Sequence, residues 1–389
     1  MTNKPTGKLL IAMMTLSLAS AVSAQQQPAV PAAEGAAKPR VAFPPTPTPQ
    51  PKAPPMTEAQ LDEFLIPQQY LARTSDVLCI IYNGFRRSQV DPCGCVTHQL
   101  GGLDKEARLV QRIEELKIPA LEVDAGGFVR DLPDEKLVEQ GRTLLKGLGK
   151  IGYDAVNVAF TDLAIAPDEL KKAAQDAGTK LVSANVTDEA GKPVFDPFVV
   201  KDVKLTDGST LKVGILGVTR PRVEMSAEPL DTPTSVTAGS ANGQQVPLQI
   251  SDPIAAINKY LPEVSEKADF VVLLDYDRRS NADKIIQKIA DPDKVDVLVM
   301  GENTQIQGSV QNMKNIQVVS GGYEGRQLGT LYLELKDHKV ASTWNRHIEV
   351  LQTIPPVSEI TTLIESVHKK TEQPESDGSN SDGPMKLKL

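Results

Sequence analysis

The sequence predicts an α/β protein in which helices cover the outer faces of stacked sheets. From about Asp76 onward, short apolar runs alternate with helical stretches. The runs are apolar at nearly every position, which is typical of strands that are buried on both faces. The later runs lie closer together along the chain, which indicates some antiparallel pairing. We therefore expect one layered α/β domain built on two stacked sheets.

The individual elements follow from local patterns. Thr57 can cap a short helix, TEAQLDEFL, and Gln60 three residues on completes a capping box. Strands are predicted for VLCIIY (77–82), ALEVDA (120–125), AVNVA (155–159), LVSAN (181–185), KVGILGV (212–218), FVVLLD (270–275), VDVLVM (295–300), IQVVS (316–320) and TLYLEL (330–335). Helices are predicted for DKEARLVQRIEELK, DEKLVEQGRTLLKGLGKI and PDELKKAAQDA. Residues 226–250 have the composition of an exposed loop.

The N-terminus predicts export from the cytoplasm. Lys4 and Lys8 precede the apolar run LLIAMMTLSLASAV, which is too short to span a membrane, and small residues up to Ala24 form a cleavage site. We expect a signal peptide over residues 1–24 and a mature protein that begins at Gln25. It would be periplasmic or secreted and would keep no integral membrane segment; an N-terminal membrane anchor is the alternative.

Composition bounds the rest of the chain. Residues 25–57 are rich in Gln, Ala and Pro and predict an extended linker, whereas residues 371–389 are polar and predict a disordered tail. Residues 58–370 between them form the predicted domain. The 389 residues carry a formal net charge of −8. This charge argues against nucleic acid as a partner, because phosphate binding favours a basic face.

The stretch from Leu78 to Val110 concentrates the unusual residues. A strand leads into a polar loop, and a helix begins near Gly101 and Gly102. The loop that follows the carboxyl end of an interior strand is where α/β folds place their ligands. All three cysteines of the chain fall in this stretch, two of them in the loop.

The cysteines have three interpretations. A structural disulfide would join two of Cys79, Cys93 and Cys95, because disulfides are common in exported proteins. A soft metal, Cu(I) or Zn²⁺, would be bound by Cys93 and Cys95 with His98 as a third ligand. Thiol redox chemistry is the third, although the spacing is not Cys-x-x-Cys.

A series of motifs follows in order along the folded part of the chain: IIYNG, PCGC, QLGGLDKEARLV, LEVDAGGF, KGLGKIGYDAVNVAFTDLAI, LVSANV, VGILGVTRP, DFVVLLDYD, VDVLVMGENTQ and VVSGGYEGRQLGTLYLEL. Their residues and their order along the chain resemble the 5′-nucleotidase-like branch of the calcineurin-type metallophosphoesterases. The resemblance covers about Asp76 to Leu351. It implies a four-layer α-β-β-α sandwich of two stacked mixed sheets.

The resemblance also implies a two-metal site, but the sequence departs from it at the ligand positions. The family's Asp-x-His corresponds to Gly84 and Arg86, and the ligand aspartate of its Asp-Ala-Gly-Asp turn corresponds to Gly127. Its Asn-His-Glu turn corresponds to Phe160, Thr161 and Asp162. A later histidine corresponds to Tyr276, and the histidines of Gly-His-x-His correspond to Glu302 and Thr304. The chain has only four histidines, and His98 alone lies near the expected site. We therefore expect no di-metal centre and assign no catalytic residue or cofactor.

Polar side chains still gather at the predicted strand ends. Carboxylates there would bind Ca²⁺, Mg²⁺ or Mn²⁺ if they converged, and would otherwise cap helices or face water. Two arginine pairs, 86–87 and 278–279, would clamp a phosphate or carboxylate if they shared one rim, and would otherwise be solvated. The candidate ligand-binding residues are Asn83, Arg86, Arg87, Asp124, Asp162, Asp275, Glu302 and Asn303, and Asp277, Arg278 and Arg279 accompany them.

These patterns favour an exported, non-catalytic binding or scaffold module whose partner is an unidentified protein or a small anion. Two alternatives remain open. One is a phosphoesterase or 5′-nucleotidase-like hydrolase with a rebuilt carboxylate metal site. The other is a metal-binding protein centred on Cys93, Cys95 and His98.

Overall fold

The computed structural model describes residues 53–67, 70, 77–95, 98–221, 232–239, 246–302 and 311–372, with Cys95 and Glu372 described by their backbone only. The predicted signal peptide, nearly all of the linker and of the tail, and Asn303 and Thr304 lie outside these ranges. Within the ranges, no helix is long and apolar enough to cross a membrane.

The described residues form strands and helices in the following order. The strands are β1 Val77–Asn83, β2 Pro92–Cys95, β3 His98–Gly101, β4 Ala120–Asp124, β5 Ala155–Asn157, β6 Lys180–Val182, β7 Val186–Thr187, β8 Phe198–Lys204, β9 Thr210–Thr219, β10 Thr234–Ala238, β11 Val246–Ile250, β12 Phe270–Arg278, β13 Val297–Glu302, β14 Gln311–Met313, β15 Ile316–Ser320, β16 Gln327–Lys336 and β17 Lys339–Glu349. The helices are α1 Glu58–Leu65, α2 Leu103–Glu115, α3 Glu135–Ile151, α4 Pro167–Ala177, α5 Pro253–Lys267, α6 Ala282–Lys288 and α7 Ser358–Glu372.

Two six-stranded mixed sheets form the centre of the fold. The first has the order β17-β16-β1-β4-β5-β6, in which β1, β4, β5 and β6 are parallel and β16 and β17 run antiparallel to their neighbours. The second has the order β14-β15-β13-β12-β9-β8, with four central parallel strands and antiparallel strands at both edges. Smaller sheets are formed by β10-β11-β7 and by β2-β3.

Three apolar cores separate the layers. One core lies between the two sheets and includes Val123 of β4 and Leu274 of β12. A second lies between the first sheet and helices α1, α2, α3, α4 and α7. A third joins the second sheet to α5 and α6, with Leu273 of β12 among its members. The layers therefore run helix, sheet, sheet, helix, and the predicted four-layer α/β sandwich is confirmed.

Local signals predict several elements closely. At α1, the Gln60 N–H donates to Thr57 Oγ1 at 3.4 Å and the Thr57 N–H donates to Gln60 Oε1 at 2.8 Å, so the predicted capping box is present. Helix α4 coincides with the predicted PDELKKAAQDA. A capping box and an apolar helical stripe each involve residues that are close in sequence, so they can be recognised without knowledge of the tertiary structure.

Residues 226–250 differ from the exposed loop that their composition predicts. Their described parts include β10 and β11, which pair antiparallel, and Val236, Leu248 and Ile250 are buried. The prediction was wrong here because the short alternation of apolar and polar residues in TSVTA and VPLQI outweighed the surrounding Gly, Ser and Pro. The expected polar loop after β1 likewise contains the β2-β3 hairpin.

Candidate functional site

The loops at the carboxyl ends of β1 and β4 meet at one edge of the first sheet. Asn83 and Asp124, the last residues of these strands, are register partners. Asn83 Nδ2 donates to the Gln327 carbonyl at 2.9 Å, and its Oδ1 accepts from the N–H groups of Gly84 and Gly322 at 3.0 Å each. Asn83 therefore ties the first loop to the turn before β16.

Arg86 lies at the centre of these loops and is almost fully buried, with 1% of its surface exposed. Its Nε donates to Asp124 Oδ2 at 2.6 Å, and its Nη1 and Nη2 donate to the two oxygens of Glu106 at 2.8 Å each. Its Nη2 also donates to the Tyr153 hydroxyl at 3.0 Å. The Arg86 guanidinium is therefore paired with buried protein groups and is not available to bind a ligand.

The electrostatics of this cluster follow from one cation between two carboxylates. Burial alone would lower the pKa of Arg86, but Glu106, Tyr153 and Asp124 outweigh it and raise the pKa well above its ordinary value. Burial raises the pKa of Asp124, and Arg86 and the Gly126 N–H oppose that change. A two-point pair between guanidinium and carboxylate is among the strongest protein hydrogen-bonded pairs.

Tyr276 fills the space beside the position of the family's ligand aspartate. A Cβ atom on Gly127 would overlap Cε2 of Tyr276, and Gly127 itself has φ +77°, in the left-handed region that favours glycine. The buried Tyr276 ring packs against Phe160 and Phe85, with centroid distances of 5.9 and 6.4 Å. An apolar ring cluster thus stands where a ligand side chain would need room.

Asp162 is a structural carboxylate. It is completely buried and accepts from the N–H groups of Gly127, Ala159 and Val129 at 2.8–2.9 Å. Burial raises the pKa of Asp162 to about 8, although these backbone N–H groups oppose the rise. Its two oxygens hold the turn after β4 against the turn after β5.

Asp275 does not join Asp124, because it lies on the other side of the molecule. Side chains alternate along a strand, and Leu273 faces the core under α5 and α6, so Asp275 shares that outer face. Asp124 follows Val123, which faces the core between the sheets, and therefore lies on the outer face of the first sheet. Of the two possibilities that the sequence left open for these carboxylates, Asp124 and Asp275 therefore do not follow the one in which they converge.

The second arginine pair also has a separate environment. Arg278 Nε lies 3.7 Å from Glu302 Oε2, and burial lowers the pKa of Arg279. Asp277, beside them, accepts from Arg220 Nε at 3.1 Å and from Asn281 Nδ2 at 3.0 Å. Because Arg86 is enclosed under the first sheet, the two predicted arginine pairs do not form one clamp.

The described thiols, those of Cys79 and Cys93, are free. Cys79 packs in the apolar core on β1, and burial raises its pKa, so it does not pair with Cys93 as one of the disulfide predictions had it. Cys93 Sγ instead accepts from Arg326 Nη2 at 3.1 Å. The hairpin places Cys95 opposite His98 in register. The soft-metal set of Cys93, Cys95 and His98 stays a prediction.

Three arginines surround Glu324, a residue that is 5% exposed and lies in the turn before β16. Arg87 Nε and Arg130 Nη2 lie 3.4 and 3.1 Å from Glu324 Oε1, and Arg326 Nη2 lies 3.2 Å from Oε2. Arg87 Nη1 also donates to Asp131 at 3.0 Å. Of this group, the sequence had singled out only Arg87.

The residues present do not fit the two-metal centre that the fold implies. At the positions that the resemblance assigns to metal ligands, the structure has Gly84, Arg86 and Gly127, and the ring of Tyr276 fills the space beside Gly127. Among the residues that the structure describes, no group of three or more His, Cys, Asp and Glu side chains is arranged to hold a metal ion.

The layers and sheet order define a metallophosphoesterase-like fold, and comparison with solved structures supports this class. No family model and no curated protein matches the sequence. The 5′-nucleotidase precursor from Thermus thermophilus is similar with a TM-score of 0.58 and 16% identity, over 76% of this chain and 59% of that one. The sulfate thiohydrolase SoxB of the same organism is similar with a TM-score of 0.59 and 14% identity, over 75% and 60% of the two chains.

A third similar structure is nearly covered by this chain. The calcineurin-like phosphoesterase YfkN from Bacillus subtilis aligns with a TM-score of 0.55 and 19% identity, over 76% of this chain and 98% of that one. The chain spans only about three-fifths of the first two structures. At these identities the similarity shows the fold, which is that of the calcineurin-like phosphoesterases and 5′-nucleotidases.

Proposed function

We propose that this protein is an exported, non-catalytic binding module with a metallophosphoesterase-like fold. The observation that carries the proposal is the buried position of Arg86, whose guanidinium is paired with Asp124 and Glu106. Asp124 is already paired with this guanidinium, so a metal ion at these strand ends would have to displace Arg86 or lie beside a second cation. Two cations brought together in a low-dielectric interior repel each other strongly.

A second feature supports loss of the hydrolytic site. In enzymes with two metal ions, the metals activate the attacking water and stabilise the leaving oxygen. Here the ring of Tyr276 occupies the space beside Gly127, and Asp162 uses its oxygens on three backbone N–H groups. Asp124 is paired with Arg86 and Asp162 with the turn N–H groups, so neither supports a rebuilt carboxylate site.

The export part of the proposal rests on the sequence. Lys4 and Lys8, the short apolar run and the small residues before Gln25 are typical of a cleaved signal peptide. The Pro-rich segment after it would then form an extended N-terminal arm of the mature protein. Mass spectrometry of the protein from the extracytoplasmic fraction tests this, with a mature N-terminus at Gln25 as the expected result.

A hydrolysis assay tests the non-catalytic part. The purified mature protein is incubated with p-nitrophenyl phosphate, bis-p-nitrophenyl phosphate and AMP in the presence of Mn²⁺, Zn²⁺ or Mg²⁺. We expect no release of product above the metal-only blank. Turnover that accompanies the protein and is lost in Glu302→Gln, a change to a strand-end carboxylate, would favour a rebuilt hydrolase and contradict the proposal.

A further inference from the structure

Three guanidinium groups from separate loops meet around one carboxylate at the rim of the first sheet. We propose that Arg87, Arg130 and Arg326 form a binding site for a tetrahedral oxyanion, a phosphate or sulfate group of a ligand. Glu324 serves as the internal counterion of this site. The inference deepens the proposed function and rests on it in one respect, namely that the bound group is held and not hydrolysed.

The cluster has more positive charge and more donors than its own carboxylates use. Among the described residues, three guanidiniums lie in ion-pair range of two carboxylates, those of Glu324 and Asp131, which is an excess of one positive charge within this set. Each guanidinium carries five N–H donors. The Nε atoms of Arg87, Arg130 and Arg326 are buried and make no hydrogen bond, although that of Arg87 is in ion-pair range of Glu324. An oxyanion would contact the solvent-exposed parts of Arg130 and Arg326, because the buried Nε atoms are out of its reach.

The three arginines reach this place from different parts of the chain. Arg87 follows β1 and Arg130 follows β4 at the carboxyl edge of the sheet. Arg326 precedes β16, and because β16 runs antiparallel to β1 its first residues lie at that same edge. Ligands of open α/β sheets bind at the carboxyl ends of parallel strands. The position of the cluster is therefore that of a ligand site.

Solvent reaches the guanidiniums more readily than the carboxylate behind them. The side chains of Arg130 and Arg326 are 39% and 29% exposed, whereas that of Glu324 is 5% exposed. An anion arriving from solution would thus contact cations first. The Glu324 N–H also donates to the Phe85 carbonyl at 3.1 Å, which fixes the two loops relative to each other.

The arginines are held in place before any ligand binds. Arg87 lies over the Phe85 ring at 5.0 Å and Arg326 over the Tyr323 ring at 5.1 Å, in cation–π contacts. Phe85, Arg87 and Glu324 have φ values of +53°, +54° and +51°, which are uncommon for residues other than glycine. Strained backbone of this kind persists where the surroundings demand it, and it is found at ligand clamps.

The number of guanidinium groups indicates the class of ligand. A planar carboxylate offers two oxygens, which one guanidinium can engage in a two-point pair. Three guanidiniums that approach from different loops match an anion with oxygens on several sides, which describes phosphate and sulfate groups. The remaining distinction between a phosphate and a sulfate source is made by experiment.

Titration calorimetry of the mature protein with inorganic phosphate, sulfate and acetate at low salt tests the site. We expect phosphate or sulfate to bind more tightly than acetate, and Arg130→Ala and Arg326→Ala to weaken that binding about tenfold or more. Glu324→Gln should change affinity in the opposite direction, because it removes the competing negative charge. Arg142→Ala is the matched control, since Arg142 sits in another ion-pair cluster, with Glu135, Glu139 and Glu169, and should leave affinity unchanged.

The site would be refuted if neither phosphate nor sulfate bound the folded wild type or Glu324→Gln, with folding checked by circular dichroism. Acetate binding as tight as phosphate binding, or affinity that ignores Arg130→Ala, would overturn it as well. The phosphoesterase assay on the same samples separates the two proposals. Turnover alongside anion binding contradicts only the non-catalytic function, whereas no turnover and no binding contradicts only the anion site.

Discussion

Arg86 and Glu106 form a buried two-point ion pair, with Nη1 to Oε2 and Nη2 to Oε1 both at 2.8 Å and both side chains 1% exposed. Glu106 lies on the apolar face of α2, and Arg86 comes from the loop after β1. Asp124 completes the cluster from the end of β4. The chain thus carries its own fixed cation among the carboxylates at the strand ends.

Removing this cation should destabilise the fold strongly. Arg86→Ala leaves the carboxylates of Glu106 and Asp124 buried without a partner, and we expect a loss of about 3–5 kcal/mol in the free energy of unfolding. Urea denaturation measures this loss in the free energy of unfolding. Arg142→Ala, which breaks a more exposed arginine cluster, should cost no more than about 1 kcal/mol. Equal losses for the two variants would show that the buried pair has no special role.

Gly127 and Tyr276 should be energetically coupled. Gly127→Ala places a methyl group against the Tyr276 ring and should destabilise the protein. In a Tyr276→Ala background the ring is gone, so the same change should cost about 1–3 kcal/mol less. A double-mutant cycle from urea denaturation gives this interaction energy. An additive cycle would mean that the ring does not fill the space beside Gly127.

Asp162 should be required for folding of the loops and not for chemistry. Asp162→Ala strips the acceptors from three buried N–H groups, and because each unsatisfied donor costs about 1–3 kcal/mol, we expect a loss of at least about 3 kcal/mol. Thermal and urea unfolding measure the change. Asp168→Ala, in the exposed first turn of α4, serves as the control and should stay within about 1 kcal/mol. A mild effect of Asp162→Ala would contradict the structural role.

Glu122 on β4 should make stability depend on pH. Burial, followed by the nearby Asp154, raises the pKa of Glu122 to about 9. Since the folded pKa exceeds the unfolded one, the protonated group stabilises the fold at low pH, and this contribution is lost as pH rises from about 4.5 to about 9. Relative to Glu122→Gln, the wild type should therefore lose up to about 1.4 kcal/mol per pH unit between pH 6 and 9.

Unfolding free energies of both proteins at four pH values test the Glu122 prediction. Glu115→Gln, an exposed carboxylate on α2, is the control and should run parallel to the wild type. If the Glu122→Gln and wild-type curves also ran parallel, the carboxyl group of Glu122 would be ionised throughout this range.

The sequence identified the elements well because their signals are local. The run VLCIIY became β1, IQVVS became β15 without change of bounds, and the Thr57 capping box stands as predicted. The sequence could not predict on which face of its sheet Asp275 lies. FVVLLD is apolar at every position before the aspartate, so its alternation does not reveal which side of the strand meets which core.

The candidate site was predicted in part. Glu106 left a signal that was missed: it lies three residues after Leu103 and four before Val110, on the apolar stripe of α2, where a charge needs a buried partner. Glu324 and Arg326 gave no comparable signal, since only the sheet topology brings their turn close to Arg87 and Arg130. Contacts over such sequence separations are set by topology and not by spacing.

Elemental analysis of the purified mature protein, after exposure to Mn²⁺, Fe²⁺ and Zn²⁺ and removal of excess metal, tests the central claim most directly. The wild type and a variant with Cys93→Ser and Cys95→Ser are compared, so that a metal held by the hairpin thiols is recognised by its loss. With Arg86 fixed between Asp124 and Glu106, we expect no pair of metal ions at the strand ends in either protein. Two metal ions per chain that persist in the cysteine variant and support phosphoester hydrolysis would contradict a non-catalytic module.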